Sequence, residues 1–377
     1  MAEIPSETIT LKKFFDPKTI LFVIIAFSGM IFYFALTTQK TGGVGSIISA
    51  LLTAVPVFIL AGVIINFCAL GLDVVSWRLI LSTSGIRPPF LRLCNVYLTS
   101  FVFGLLIPSA GAVEIGIRTS MGREFYNYKE DRNATSGEIL SSIALHRLLG
   151  TLAFIPLSVV VAAGFVVLLE AYVPPVMGIL FVLLITAFAI FLASLVFSVY
   201  FKPNAVIRFF GALPLLRNYP STIEKLVNDY NNSLGYLGKY KTRAALAFLC
   251  TLTTALISYI GGALVIYSID SEIPFLVVAV VIFLSGFLNL IPIPIPGMEG
   301  LREISVSWLF EVYKPGHPDK AAAASILMSL TSFYAVVTVG LIVYLVTRRS
   351  FLKQELLETK EKEISHAVET PTKTNLQ

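Results

Sequence analysis

Two packets of charge stand beside backbone breaks inside otherwise apolar stretches, and their residue types suit the handling of a phosphate or an amine. The first is Pro108, Ser109, Gly111, Glu114 and Arg118. Glu114 and Arg118 are four residues apart, so on a helix they share a face and can pair. A helix restarting after a Pro/Gly break also offers free backbone donors and a positive dipole end. With Arg118 these suit a lipid phosphate; equally, such charges could simply lie in the cytoplasmic headgroup region. The second packet is Asn289, Pro296, Gly297, Glu299, Arg302 and Glu303, within the stretch FLSGFLNLIPIPIPGMEGLRE (283–303). Arg302 can fork onto a phosphate. Its neighbouring carboxylates could pair with it, hold a cationic headgroup or carry a proton, or the whole could be a cap in outer water. A third candidate is His146-Arg147. Here Arg147 could either extend to anionic headgroups or stand behind the first break as a further phosphate contact.

These packets matter because of where they sit. Of 377 residues, 56% are hydrophobic and 14% charged, with mean hydropathy +0.83. Soluble domains carry about 25% charged residues. Several apolar runs reach the roughly 20 residues needed to cross a bilayer. Pro292, Pro294 and Pro296 forbid one continuous helix through the second stretch. Hydrocarbon tolerates broken backbone only where protein or a watery cavity surrounds it, and ionisable groups there suggest function.

The chain is expected to be an all-α polytopic membrane protein with about six full crossings. These are 19–36, 54–81, 141–169, 176–200, 244–269 and 321–346. Residues 1–18 form a cytoplasmic arm, 19–347 one transmembrane domain, and 348–377 a charged cytoplasmic tail. The first span lacks a small-x-small cleavage pattern and is read as retained. The 82–92, 118–132 and 201–243 segments are basic; 37–45, 170–175 and 270–272 carry almost no positive charge. Under the positive-inside rule both termini face the cytoplasm. Six crossings then fit only if 93–117 and 273–313 are re-entrant hairpins entering from opposite sides.

A repeat supports that topology. Leu98, Phe101, Leu105, Ile107, Pro108 and Gly111 match Leu284, Phe287, Ile291, Ile293, Pro294 and Gly297 at a constant offset of 186. The halves would be about 46–169 and 244–347, with crossing 176–200 and the 201–243 loop between them. An odd number of crossings separates the halves, so they would be inverted, an architecture of secondary transporters.

Much is absent. No phosphate loop ending in Gly-Lys-Ser/Thr appears, so ATP-driven pumping by this chain is not expected. No nucleophile elbow, Cys/His pair or zinc signature appears. Cys68, Cys94 and Cys250 have no paired spacing, three histidines offer no metal site, and no cofactor is expected. Basic residues are not interleaved with aromatics for nucleic acid. Two Asn-x-Ser/Thr patterns, at Asn133 and Asn231, fall on the side assigned to the cytoplasm and are discounted as glycosylation sites.

SFVFGLLIPSAG (100–111), IALHRLLG (143–150) and PIPGMEGLRE (294–303) together resemble the lysylphosphatidylglycerol synthase transmembrane region family of flippase-like membrane proteins. The resemblance covers about residues 19–347. It implies lipid handling, and it places Pro108, Gly111, Arg147, Pro296, Gly297, Gly300 and Glu303 on family motif positions. His146 stands where an acid is more usual in the family, Met298 replaces a glycine, and Ser329 stands where an arginine is common. The soluble aminoacyl-transferase domain of two-domain members is missing, so the chain is not expected to be an enzyme. The expectation is a flippase or facilitator in the cell membrane moving a phospholipid or polyprenyl-phosphate-linked headgroup. Its partners would be membrane lipids, anionic or aminoacylated, with a homo-oligomer left open. The alternative is a membrane-embedded lipid-modifying enzyme or an accessory subunit of lipid-linked glycosylation.

Overall fold

Apolar length and proline placement shape the described helices. A computed structural model describes residues 43–107, 112–169, 201–212, 239–288 and 301–347, with a few isolated positions between. The expected crossings 19–36 and 176–200 lie outside the described residues, as does the tail.

The helices are α1 (Val44–Leu52), α2 (Pro56–Thr83), α3 (Phe90–Leu106), α4 (Ala112–Gly122), α5 (Ser136–Leu169), α6 (Pro203–Ala212), α7 (Lys241–Tyr267), α8 (Phe275–Leu288), α9 (Leu301–Tyr313) and α10 (Pro318–Thr347). Proline opens α2 and α10 at the first turn, where the missing N–H costs nothing. Four stretches are long and apolar enough to cross a bilayer among the described residues: α2, Ser136–Ser158 of α5, α7 and α10. The charged 123–132 stretch makes a small hairpin, β1 (Tyr126–Asn127) against β2 (Arg132–Asn133), and α6 lies in what reads as a polar loop.

Helix lengths repeat in order: 28, 17, 11 and 34 residues for α2–α5, then 27, 14, 13 and 30 for α7–α10. Corresponding helices α2 and α7 pack antiparallel. The Val55 amide donates to the Ser268 carbonyl (2.9 Å), Gly62 abuts Gly261 and Val265, and Thr254 reaches Ala69 O. At the other end Ser76 Oγ donates to Ala247 O (3.0 Å) and lies 2.8 Å from Thr251 Oγ1. Small residues let the backbones approach, and hydroxyls tie them together, as in helix pairs within lipid.

Gly62 shows how tight the seam is. A Cβ there meets Val265 Cγ2 at 2.7 Å and the Gly261 carbonyl oxygen at 2.9 Å. Because one obstacle is backbone, Gly62→Val forces α2 from α7 at about 1–3 kcal/mol. The unfolding temperature in detergent is expected to fall by several degrees; an unchanged midpoint contradicts the packing.

Basic residues close the end of α2: Lys129 Nζ donates to Thr83 O (2.5 Å) and Arg243 Nη1 to Ser82 O (2.8 Å). Cations suit the negative end of a helix dipole. At the opposite end of the bundle, Asp270 accepts from Lys314 (2.7 Å) and Lys320 (3.2 Å), and Lys314 also holds Glu272 (3.0 Å). Burial alone would raise the Asp270 carboxyl, but the lysine hydrogen bonds and the Glu272 amide bring it below its ordinary 3.8. The Lys314 ammonium is raised above 10.5, chiefly by its bond to Asp270. Asp270 therefore contributes stability above pH 3.8 that is lost as pH falls through its lower folded value. Lys314 contributes below pH 10.5 and loses it as pH rises further. Thermal stability should be flat between those limits and fall on the acid side, with Asp270→Asn removing that acid limb.

Trp77, near the end of α2, does not lie at an exposed interface. It is fully buried. The α2 face carrying Val74, Trp77 and Leu81 turns inward against α3, α5 and the hairpin, and the indole N–H donates to Ser142 Oγ (3.0 Å). A buried indole needs such a partner.

Candidate functional site

Two polar clusters sit inside this apolar frame. In the first, Arg118 on α4 is 1% exposed. Its Nη2 donates to Glu114 Oε1 at 2.5 Å and its Nε to Ser100 Oγ at 3.3 Å. The guanidinium carbon lies 4.3 Å from the Tyr97 ring centre and 4.9 Å from that of Trp77. Each contact contributes about 0.5–2 kcal/mol when desolvated. Glu114 Oε2 accepts from Arg147 Nη2 on α5 at 2.8 Å, so one carboxylate bridges two arginines. The Arg147 side chain is 44% exposed and the Glu114 side chain 17%.

Next to this bridge lies a second polar chain. Asp73 on α2 accepts from the Tyr97 hydroxyl, and His146 Nε2 stands 3.2 Å from the other Asp73 oxygen. Tyr97 stacks on Phe101 and meets the His146 ring edge-on. His146 and Arg147 are consecutive, so they leave α5 in different directions: one to Asp73, the other to Glu114.

The second cluster joins α9 to α10. Arg302 Nη2 donates to Ser329 Oγ at 2.9 Å, and Ser329 donates to Glu303 Oε1. Arg302 Nη2 is 3.6 Å from Glu303 Oε1, and both side chains are largely buried. Immediately after Ser329 the helix widens into a π turn, Leu330–Tyr334. Thr331 and Ser332 hydroxyls bond back to the Leu327 and Met328 carbonyls, satisfying backbone that the wider turn disturbs. Such turns recur at functional sites. The close fit of α9 on α10 follows from Ala321–Ala324, all buried, with Ser307 bonded to Ala321 O and Ser325.

Both clusters lie well inside their helices: Asp73 stands about 15 Å from the α2 end at Thr83, His146 about 15 Å from the α5 start, and Ser329 about 16 Å from the α10 start, at 1.5 Å per residue.

The structure thus brings Glu114, Arg118 and Arg147 together, and Arg302 with Glu303. It does not bring the two groups into one pocket among the described residues. Helix α3 stands between them: Ser100 and Gly104 meet Arg118 and Glu114, while Val102 packs on Phe333, whose ring lies 5.8 Å from Arg302. Ser109 and Gly111, with Pro108, and Asn289, Pro296, Gly297 and Glu299 lie outside the described residues. Asp73, Trp77, Tyr97 and Ser100 escaped the sequence reading. A lone carboxylate amid the apolar α2 run was the available signal for Asp73.

An open groove of about 540 Å³ runs between α4 and α5, walled by Ile115, Gly116, Thr119, Ser136 and Leu140, with Arg123 at one end. Leu140 precedes Arg147 by two turns on the same side of α5, so the groove leads toward the Glu114–Arg147 pair. Among the described residues no cluster of His, Cys, Asp and Glu could hold a metal ion.

Apolar helices of membrane length that enclose deep ion pairs define a helical membrane protein. The chain belongs to the lysylphosphatidylglycerol synthase transmembrane region family, whose model matches residues 20–340. No curated protein matches the chain significantly.

Proposed function

We propose that this protein is a lipid transporter of the cell membrane, a flippase or facilitator without ATP hydrolysis. It moves an anionic or zwitterionic headgroup, of a phospholipid or polyprenyl phosphate, between leaflets. The observation that carries the reading is the antiparallel packing of helices α2 and α7, with a largely buried charged cluster on each side of α3. Antiparallel packing of equivalent helices is what inverted repeats produce, and inverted repeats place their binding site near the midplane and alternate access around it.

In this reading the protein is multi-pass with both termini inside, and 93–117 and 273–313 are re-entrant hairpins entering from opposite sides. Headgroups enter from the cytoplasmic leaflet along the α4–α5 groove past Arg123. Arg147, exposed and only half of a shared ion pair, is the first phosphate contact. Arg302 is the corresponding cation of the second half, with Glu303 and Glu299 balancing an amine or a proton. Arg118 stands behind Arg147 and holds Glu114 in place. Family membership supports a membrane lipid substrate, and the chain is proposed to be a transporter rather than an enzyme.

The test is reconstitution into sealed vesicles containing a headgroup-labelled phospholipid. Movement between leaflets with no change in lipid mass is expected. A mass change instead favours a lipid-modifying enzyme, and neither movement nor modification removes the reading.

A further inference from the structure

The Asp73–Tyr97–His146 chain has no part in holding a headgroup in the scheme above, yet three helices commit buried polar side chains to it. His146 is 6% exposed and the Asp73 side chain 19%. Each Asp73 oxygen has its own neighbour, the Tyr97 hydroxyl on one side and the imidazole on the other. Aligned structural pairs of this kind usually close a hydrogen bond. Here the imidazole Nε2 approaches Asp73 to 3.2 Å, yet among the described residues it closes no hydrogen bond. Imidazole is also the one side chain in the cluster whose ordinary pKa, about 6.5, lies within the physiological range.

Among the described residues the charged and titratable groups around this imidazole come from four helices. Asp73 comes from α2, Tyr97 from α3, Glu114 and Arg118 from α4, and Arg147 from α5 itself. Helix α7 meets α5 near here through Ala247 and Phe248, which are uncharged. With His146 neutral, the two arginines offset the two carboxylates and the cluster carries no net charge. One added proton makes it +1. That state balances a headgroup of one negative charge beside Arg147, so proton and anion together leave the deep cluster neutral.

We propose that the Asp73–His146 pair is a proton-binding site coupled to the anion at Arg147: the protein co-transports one proton with each singly anionic lipid headgroup. The inference rests on the lipid-transport reading and names its coupling ion. One proton from the aqueous phase adds to the imidazole, which becomes imidazolium opposite the Asp73 carboxylate. It leaves as a proton when the headgroup leaves, with no other bond made or broken. Linkage is reciprocal: the anion raises proton affinity by the same factor as the proton raises anion affinity.

The experiment uses the full chain in sealed phosphatidylcholine vesicles with labelled phosphatidylglycerol, a pH dye inside, and bath pH stepped from 8 to 5. Movement of phosphatidylglycerol is expected to quicken as pH falls, by up to roughly tenfold per unit above the midpoint, the limit for one proton. It should also acidify the lumen, while labelled phosphatidylcholine shows neither effect. His146→Gln and Asp73→Asn should each flatten the pH profile. If those variants do not fold, Tyr97→Phe decides. It keeps the ring packing, removes one hydrogen bond from the carboxylate, and should change the pH dependence. Lipid movement that is independent of pH, or a pH profile unmoved in every folded variant, overturns the proton site while transport stands. No lipid movement at any pH overturns transport and the proton site together.

Discussion

Replacing Glu114 with Ala is expected to destabilise the protein by about 3–5 kcal/mol, while Glu114→Ala combined with Arg118→Met recovers most of that loss. Arg118 is 1% exposed and enclosed by Trp77 and Tyr97, so Glu114 is the only carboxylate that meets its guanidinium among the described residues. Removing one member of a buried pair leaves an uncompensated charge; removing both replaces the pair with apolar volume, which is often neutral or better. Thermal unfolding of the single and double variants in detergent measures this. If Arg118→Met alone is as damaging as Glu114→Ala, the guanidinium contributes more than it costs. The lock reading of Arg118 then gives way to a direct contact with substrate. The same cycle matters for function, because Glu114 also restrains Arg147.

The second large effect concerns Arg302. Arg302→Gln is expected to slow transbilayer movement of an anionic lipid roughly ten- to hundredfold, the equivalent of a charge-assisted hydrogen bond worth about 1.5–3 kcal/mol. Glu303 loses its neighbouring cation in that variant, and Ser329 loses one of the two bonds through which it links them. Arg302→Lys should not restore the rate, because an ammonium cannot reproduce the fork of a guanidinium. Ser329→Ala should give an intermediate loss, since it breaks the link and keeps both charges. Vesicle assays at matched protein density separate these from poor expression. Equal rates for wild type, Arg302→Gln and Glu303→Gln would remove the second cluster from the transport path.

The π turn beside Ser329 gives this region a further property. A turn with an extra residue is a place where α10 can rewind, and its hydroxyl bonds supply partners for the backbone in either winding. It adjoins Phe333, which touches both Arg302 and α3 through Val102. The element between the two clusters is therefore also the one in contact with the turn.

How much of this was legible beforehand differs by level. Membrane character and the four helices of membrane length followed from hydropathy, because it acts locally along the chain. The pairing of Glu114 with Arg118 was also readable, as helical spacing alone puts them side by side. The constant offset of 186 suggested a repeat, and the described helix lengths recur in the same order in the two halves.

Asp73, Trp77, Tyr97 and Ser100 were not legible as partners of residues on α4 and α5. Apolar helices of this kind have no strong polar face: α2 and α5 are hydrophobic all round, so nothing in one helix states which side meets a neighbour. The antiparallel seam in which Gly62, Ala69 and Ser76 meet α7 sets the rotation of α2. That rotation turns Asp73 and Trp77 inward. Sequence alone determined which segments are apolar, where they break and which charges lie near the breaks, since those depend on neighbours in the chain. Tertiary structure alone decided that His146 answers Asp73, that Arg147 answers Glu114, and that α3 divides the two clusters, because those contacts come from backbones meeting across long separations.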